Sequence, residues 1–293
     1  MNVELNQERS FTVRAGANIL HGLFHGGEWE GLTKYENAQG QSLIMDGTAI
    51  VKGSPDLMHY LRNGAAQPGF VVVPETTLPS GQVVPAFQVA QHVASKGDGG
   101  AVSISATGKP WTSINFADAK QACADAGYSM ITETQWLAIA WNASQVAANW
   151  TGGKVGEGSM RQGIRFGGGA KPGDYEPTNE EERRWLLLSN GSLICDFNGN
   201  VFQWIFDDVQ GAADGLIAKR IEADSISLTT APYPSEQKGM GYRPDGSRDW
   251  SGYALIRGGY WYSDVNVGAF LLSDVSPGYE YDDVGFRCTK SLG

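Results

Sequence analysis

The sequence predicts an α+β fold, and three observations carry the prediction. Two amphipathic helices lie almost back to back between residues 116 and 140. Short apolar runs broken by turns fill the chain after residue 193, and strands and helices do not alternate as a parallel α/β sheet requires. The 293 residues are 41% apolar and 18% charged, with nine tryptophans, which suits a sizeable core and not a disordered chain. A formal charge of −10 repels phosphate backbones and argues against nucleic acid as a partner. The opening Met1-Asn2-Val3-Glu4-Leu5-Asn6 lacks a basic region followed by an apolar run, so no signal peptide is expected. No stretch approaches the roughly 18 apolar residues of a membrane span.

Residues 1–67 are expected to form a small β-rich region. Phe11-Thr12-Val13 and Leu43-Ile44-Met45 read as strands, while His25-Gly26-Gly27 and Asn37-Ala38-Gln39-Gly40 read as breaks. The punctuation at Gly53-Ser54-Pro55 and along residues 63–69 sets a boundary, with a second domain over 68–293. His21 and His25 would share a helix face, but Gly22, Gly26 and Gly27 oppose a helix, so no metal role is assigned to them.

The first helix runs from Phe116 to Ala126, with Phe116, Ala119, Cys123 and Ala126 on its core face. Ser113 or Asn115 caps its start, and Gly127 fits the left-handed position after its end. The second helix opens on Thr132 and Gln135, a capping-box pair, and turns Trp136, Ile139 and Ala140 inward. Residues 150–190 are Gly-rich and polar, with an acidic run at Glu180-Glu181-Glu182, and read as a long surface insertion. Beyond 193, Gly199-Asn200 suits a tight turn of positive φ, and Gly258-Gly259 suits close backbone approach beside Trp261. Arg287 is expected to anchor buried acceptors. Cys123, Cys195 and Cys288 lie far apart, fit neither a disulfide framework nor a zinc site, and read as small core hydrophobes.

Four motifs in order resemble the formylglycine-generating-enzyme (sulfatase-modifying factor) type of the C-type lectin fold. They are Pro110-Trp111 with Asp118-Ala119 and Cys123, and the helix segment Met130 to Ala140. They continue with Cys195-Asp196-Phe197-Asn198-Gly199-Asn200-Val201-Phe202-Gln203-Trp204, and with the pair Ile256-Arg257-Gly258-Gly259-Tyr260-Trp261 and Val284-Gly285-Phe286-Arg287-Cys288. The resemblance covers roughly residues 68–293 and implies a C-type-lectin-like domain; residues 1–67 carry no resemblance of their own.

Members that oxidise a cysteine to formylglycine hold copper on a pair of cysteines near the C-terminus. The matching stretch here, Trp261 to Leu272, contains none, and Cys288 stands far from any partner in sequence, so the reaction is not expected unless distant cysteines converge. No nucleophile elbow, phosphate loop or His-Glu-x-x-His motif replaces them, and Glu280, Asp282 and Asp283 read as hydrogen-bonding groups in a Tyr-rich loop. No catalytic residues are therefore assigned; an oxidoreductase of the formylglycine-generating type, or a degenerate relative, is the alternative. Some members bind calcium near the hairpin; Gln203 replaces the frequent Glu, leaving Asn200 and Asp196 as candidate ligands. Neither a metal nor another cofactor is assigned.

The segment from about 257 to 287 resembles the variable region of binding proteins diversified by retroelements in phages, bacteria and archaeal viruses. Such regions vary wherever adenine occurs in AAC-type codons, which can become Tyr, Ser, Asp, Gly, Val or Asn but not Glu, Gln, Lys, Met or Trp. Tyr260, Tyr262, Ser263, Asp264, Asn266, Ser273, Asp274, Gly278, Tyr279, Tyr281 and Asp283 obey that rule and are the expected ligand-binding positions; Glu280 does not obey it. Six of the eleven tyrosines follow residue 240, and a Tyr, Ser, Gly and Asp mixture is also the chemistry of antibody paratopes. The expected function is recognition of a protein or glycan on a target cell, by a virion-associated or cell-surface protein.

Overall fold

The computed structural model describes residues 69–233, 236–246 and 249–292, together with strand backbones between residues 2 and 53. The chain divides into two compact units, Met1–Pro68 with the C-terminal dipeptide and Gly69–Ser291. In the first, Asn2–Leu5, Phe11–Ala15 and Asn18–Gly22 form an antiparallel meander. His25–Trp29, Leu32–Glu36, Ser42–Asp46 and Ala49–Gly53 form another. His25-Gly26-Gly27 is thus strand and not a break: cross-strand pairing with Tyr35 and Lys34 outweighs the weak propensity of two glycines. His21 and His25 lie in separate strands, and their side chains and the stretch 37–40 fall outside the described residues.

The second unit opens with β1 (Phe70–Val73) and β2 (Phe87–Ala90). Helix α1 (Phe116–Asp125) is capped by Asn115, whose side chain accepts the Asp118 N–H at 2.9 Å, and it buries Phe116, Ala119 and Cys123. Gly127, at φ 75°, ends it in the left-handed conformation. After β3 (Ser129–Met130), α2 (Glu133–Ser144) starts from a full capping box: Thr132 accepts from Gln135 N, and the Gln135 side chain accepts from Thr132 N. Glu133, Trp136, Leu137, Ala138, Ile139, Ala140, Ala143 and Ser144 are all buried, so α2 is covered on nearly every side, as a central helix must be.

The hairpin β4 (Trp185–Leu187) and β5 (Leu193–Cys195) leads to β6 (Phe202–Ile205) and β7 (Ala254–Gly258), then β8 (Gly268–Val275), β9 (Val284–Phe286) and β10 (Cys288–Ser291). One sheet has the order β3-β10-β2-β1 and is antiparallel throughout. The other has the order β8-β7-β6-β9, in which β6 and β9 run parallel, with Phe202 opposite Val284. This is an α+β, C-type-lectin-like architecture, with α2 in the core.

Residues 150–190 are more than the surface insertion that their composition suggests. Trp150, Met160, Ile164, Leu186 and Leu188 are at most 2% exposed, and Arg165 and Arg184 are buried as well. Glycines bring this backbone against the core: a Cβ on Gly163 would lie 2.2 Å from the Asn198 carbonyl oxygen.

Candidate ligand-binding surface

Two buried arginines hold the strands beneath the surface. Arg257, at the end of β7, donates through Nε to Glu133 Oε2 at 3.0 Å and through Nη2 to Glu133 Oε1, a bidentate pair with the first turn of α2. Its remaining N–H groups reach the carbonyls of Phe270, Leu271 and Ser227. Arg287, between β9 and β10, donates to Gln203 Oε1 at 2.8 Å and to the carbonyls of Ala90, Cys195 and Asp196. The expected anchoring of buried acceptors is what Arg287 does. Burial pulls the Arg287 guanidinium down to about 10.

The chain leaves β7 through Gly258 (φ 90°) and Gly259 (φ 87°). A Cβ on Gly259 would meet Val267 Cγ2 at 2.9 Å, so a tight crossing as well as the positive φ requires glycine. Below it, Trp136 stacks on Phe197 with centroids 3.9 Å apart and donates its indole N–H to the Ala269 carbonyl at 2.8 Å. The loop that follows is therefore set on a packed, hydrogen-bonded base.

Phe202 joins two segments there. Its ring stacks on Tyr260 at 5.2 Å, and its N–H donates to the Asp283 carbonyl at 2.8 Å. Tyr260 meets Trp261 edge-on at 5.4 Å, Trp261 meets Tyr262 at 6.0 Å, and Tyr279 packs on Tyr281 at 4.5 Å. The Tyr279 hydroxyl lies 3.3 Å from Asp283 Oδ2. Burial, then the Asp283 charge, raises the Tyr260 phenol and pushes Tyr279 up to about 12. Burial also raises the Asp283 carboxyl, whose Oδ1 is enclosed without a hydrogen-bond partner.

The structure thus gathers Tyr260, Tyr262, Tyr279, Tyr281 and Asp283 around Phe202 and Trp261. Tyr262 and Tyr281 are 71% and 63% exposed. Asp264 and Asn266 are exposed on a short 3₁₀ turn beside them, and Gly278 is exposed in the turn before Tyr279. Ser263 is turned inward at 9% exposure, where its hydroxyl accepts the Tyr260 N–H at 3.1 Å. Ser273 and Asp274 are half-buried on β8, opposite Ile256 and Leu255. The 277–281 turn is pinned to α1: Phe116 N–H donates to the Pro277 carbonyl at 3.0 Å, and Ser113 N–H to the Tyr281 carbonyl at 2.9 Å. Glu280 accepts from the Asn115 amide at 2.8 Å, a tie to the helix cap.

The motif reading missed the contribution of residues 162–171. Gly167 N–H donates to the Trp261 carbonyl at 2.7 Å, and Asp264 N–H to the Arg165 carbonyl at 3.2 Å. Phe166, between those two contacts in sequence, is 53% exposed. Nothing in a Gly-rich polar stretch marks it as neighbour to a loop nearly a hundred residues later.

Cys288 does have a partner. Its Sγ lies 2.9 Å from that of Cys123, because β10 runs beside the short β3 that follows α1. Both thiols are fully buried, and the contact with Cys288, then burial, raises the Cys123 thiol. A catalytic copper thiolate centre must be open to its substrate, so two fully buried sulfurs do not fit one. Near the hairpin, Asp196 pairs with Arg184 and accepts from Asn200 Nδ2 at 2.8 Å, so both candidate calcium ligands are engaged by protein groups. Among the described residues, no group of three or more His, Cys, Asp or Glu is placed to hold a metal.

A family model for the sulfatase-modifying factor enzyme 1-like domain matches residues 25–292. The match begins inside residues 1–67, so the resemblance reaches further toward the N-terminus than the four motifs do. Among solved structures, PvdO from Pseudomonas aeruginosa is similar at 15% identity and a TM-score of 0.42, over 76% of this chain and 94% of that one. Treponema denticola variable protein 1 is similar at 14% identity and a TM-score of 0.36, over 76% and 94%. The U1 variant of the Major Tropism Determinant is similar at 12% identity and a TM-score of 0.39, over 99% and 83%. No curated protein matches the sequence.

Proposed function

Because the chain belongs to the sulfatase-modifying factor enzyme 1-like family yet places no accessible thiol at its loop surface, we propose that it is a non-catalytic binding protein. Its recognition surface is the cluster of Tyr260, Tyr262, Asp264, Asn266, Gly278, Tyr279, Tyr281 and Asp283, and its ligand is a protein or glycan on a target cell. That surface is varied between copies by retroelement-driven mutation at adenines. Residues 1–67 form a separate region, and 68–293 the binding domain.

The observation that carries this reading is the contrast between display and anchoring. Tyr262 and Tyr281 are exposed large aromatics on loops whose backbones are fixed by Gly259, Phe202 and the start of α1. Rigid aromatic area at small entropy cost is what a paratope needs. Glu280, which no AAC-type codon yields, is the residue tied to Asn115, as a constant position within a variable stretch should be.

Sequencing beyond the 3′ end of the gene tests the reading. A near-copy of the segment encoding residues 255–290, differing only at adenines and lying beside a reverse-transcriptase gene, is expected. Its absence overturns the diversification and leaves an invariant lectin-like binder.

A further inference from the structure

We propose that the loop 165–167 is a constant part of this binding surface, with Phe166 as an aromatic anchor for a protein partner whose surface is basic. This rests on the reading of the 260–283 loops as a recognition surface and extends it to a residue outside them. Four observations converge on Phe166. Its backbone is bracketed, since Glu182 Oε1 accepts both the Arg165 N–H at 2.7 Å and the Phe166 N–H at 2.9 Å. The loop is tied on either side of Phe166 to the variable segment, through Gly167 to Trp261 and Arg165 to Asp264. The Arg165 guanidinium, held by Glu181, lies 4.7 Å from the Phe166 ring centre. Yet the ring itself is 53% exposed.

About half of the Phe166 side chain stays in water although its backbone and one ring face are held, so its apolar surface is only part used in the free protein. A partner that covers the ring would bury the rest without further ordering of the loop. The class of partner follows from the neighbours. Between Gly258 and Phe286 stand Asp264, Asp274, Glu280, Asp282 and Asp283, without a single Lys, Arg or His. Exposed Tyr262, Val265 and Tyr281 lie in the same stretch. Aromatic anchors beside the exposed Asp264 and Asp282 suit an apolar patch ringed by Lys and Arg.

The test is a display library of the full chain, randomised only at Tyr260, Tyr262, Asn266, Gly278, Tyr279 and Tyr281 with the carboxylates retained, and selected in parallel against hen egg-white lysozyme, a basic protein, and bovine serum albumin, an acidic one. Phe166→Ala and Phe166→Tyr are then introduced into several independent lysozyme binders. Most are expected to lose about tenfold or more in affinity with alanine and to keep it with tyrosine, while thermal midpoints stay within about 2 °C. Binders indifferent to Phe166→Ala overturn the anchor but leave the recognition surface standing. A well-displayed library that gives no binders overturns both. Equal yields against the two targets overturn the basic-partner assignment.

Discussion

Arg257 and Tyr262 stand five residues apart and belong to opposite regimes. Arg257 is fully buried and its guanidinium meets one carboxylate and three carbonyls. Tyr262 is 71% exposed, with its ring centre 6.0 Å from that of Trp261. The same division recurs at the other end of the surface, where Arg287 is buried six residues after the exposed Tyr281. The lesson is that a chain can tolerate replacement of its outer side chains when every neighbouring backbone turn is fixed by something else. Here that role falls to two arginines, two glycines of positive φ and the capped start of α1. Substitution is then expected to cost little at the surface and much just beneath it.

The largest expected effect comes from breaking the deeper half of that comparison. Arg257→Met leaves Glu133 buried with an unpaired charge and should cost about 3–5 kcal/mol in denaturant unfolding. The double variant Arg257→Met with Glu133→Leu should recover much of the loss, because removing both charges is far less costly than orphaning one. If the single variant unfolds at the same denaturant concentration as the parent, the scaffold does not depend on this pair.

A smaller effect is expected at the second arginine. Gln203 satisfies Arg287 Nε with its oxygen and the Asp196 carbonyl with its Nε2, and is itself fully buried. Gln203→Leu keeps most of the volume and strands Arg287 Nε, while the Asp196 carbonyl keeps its bond from Arg287 Nη2, a loss of about 1–3 kcal/mol. Equal stability of variant and parent would mean that water replaces the amide and that the two arginines are not equivalent anchors.

These same contacts explain what could be read from the chain and what could not. Helix α2 was legible because its capping box and inward face are local patterns, and Gly199 with Asn200 was legible because a positive-φ turn has a local signature (φ 75° and 67°). The Arg257–Glu133 pair spans 124 residues and the Cys123–Cys288 contact 165, and no local pattern announces either. At the surface, composition pointed to the tyrosines but not to the inward turn of Ser263, which is set by a hydrogen bond to the Tyr260 backbone. Phe166 was hidden in a stretch whose glycines suggest an exposed loop although Ile164, two residues before it, is core. Sequence pattern reports which residues want burial; the close glycine contacts decide which loops are brought to them.

The smallest predicted effect sharpens the boundary between the two regimes, because Asp283 lies on it. Burial raises its folded-state carboxyl above the ordinary carboxylate range, so the native state holds its proton more tightly than the unfolded chain does. Stability from this group is therefore full at acid pH and is lost as pH rises from the ordinary carboxylate value through the raised one. Asp283→Asn removes that titration while leaving the main-chain bond from Phe202 to residue 283 in place. The two proteins should unfold at similar temperatures at the acid end, and the Asn variant should be the more stable at neutral pH, by less than about 1 kcal/mol. Taking the difference between them cancels the buried Asp207, whose carboxyl is also raised by burial. A difference that is flat with pH, or one that favours Asp283 at neutral pH, would mean that burial does not hold this carboxyl in its protonated form.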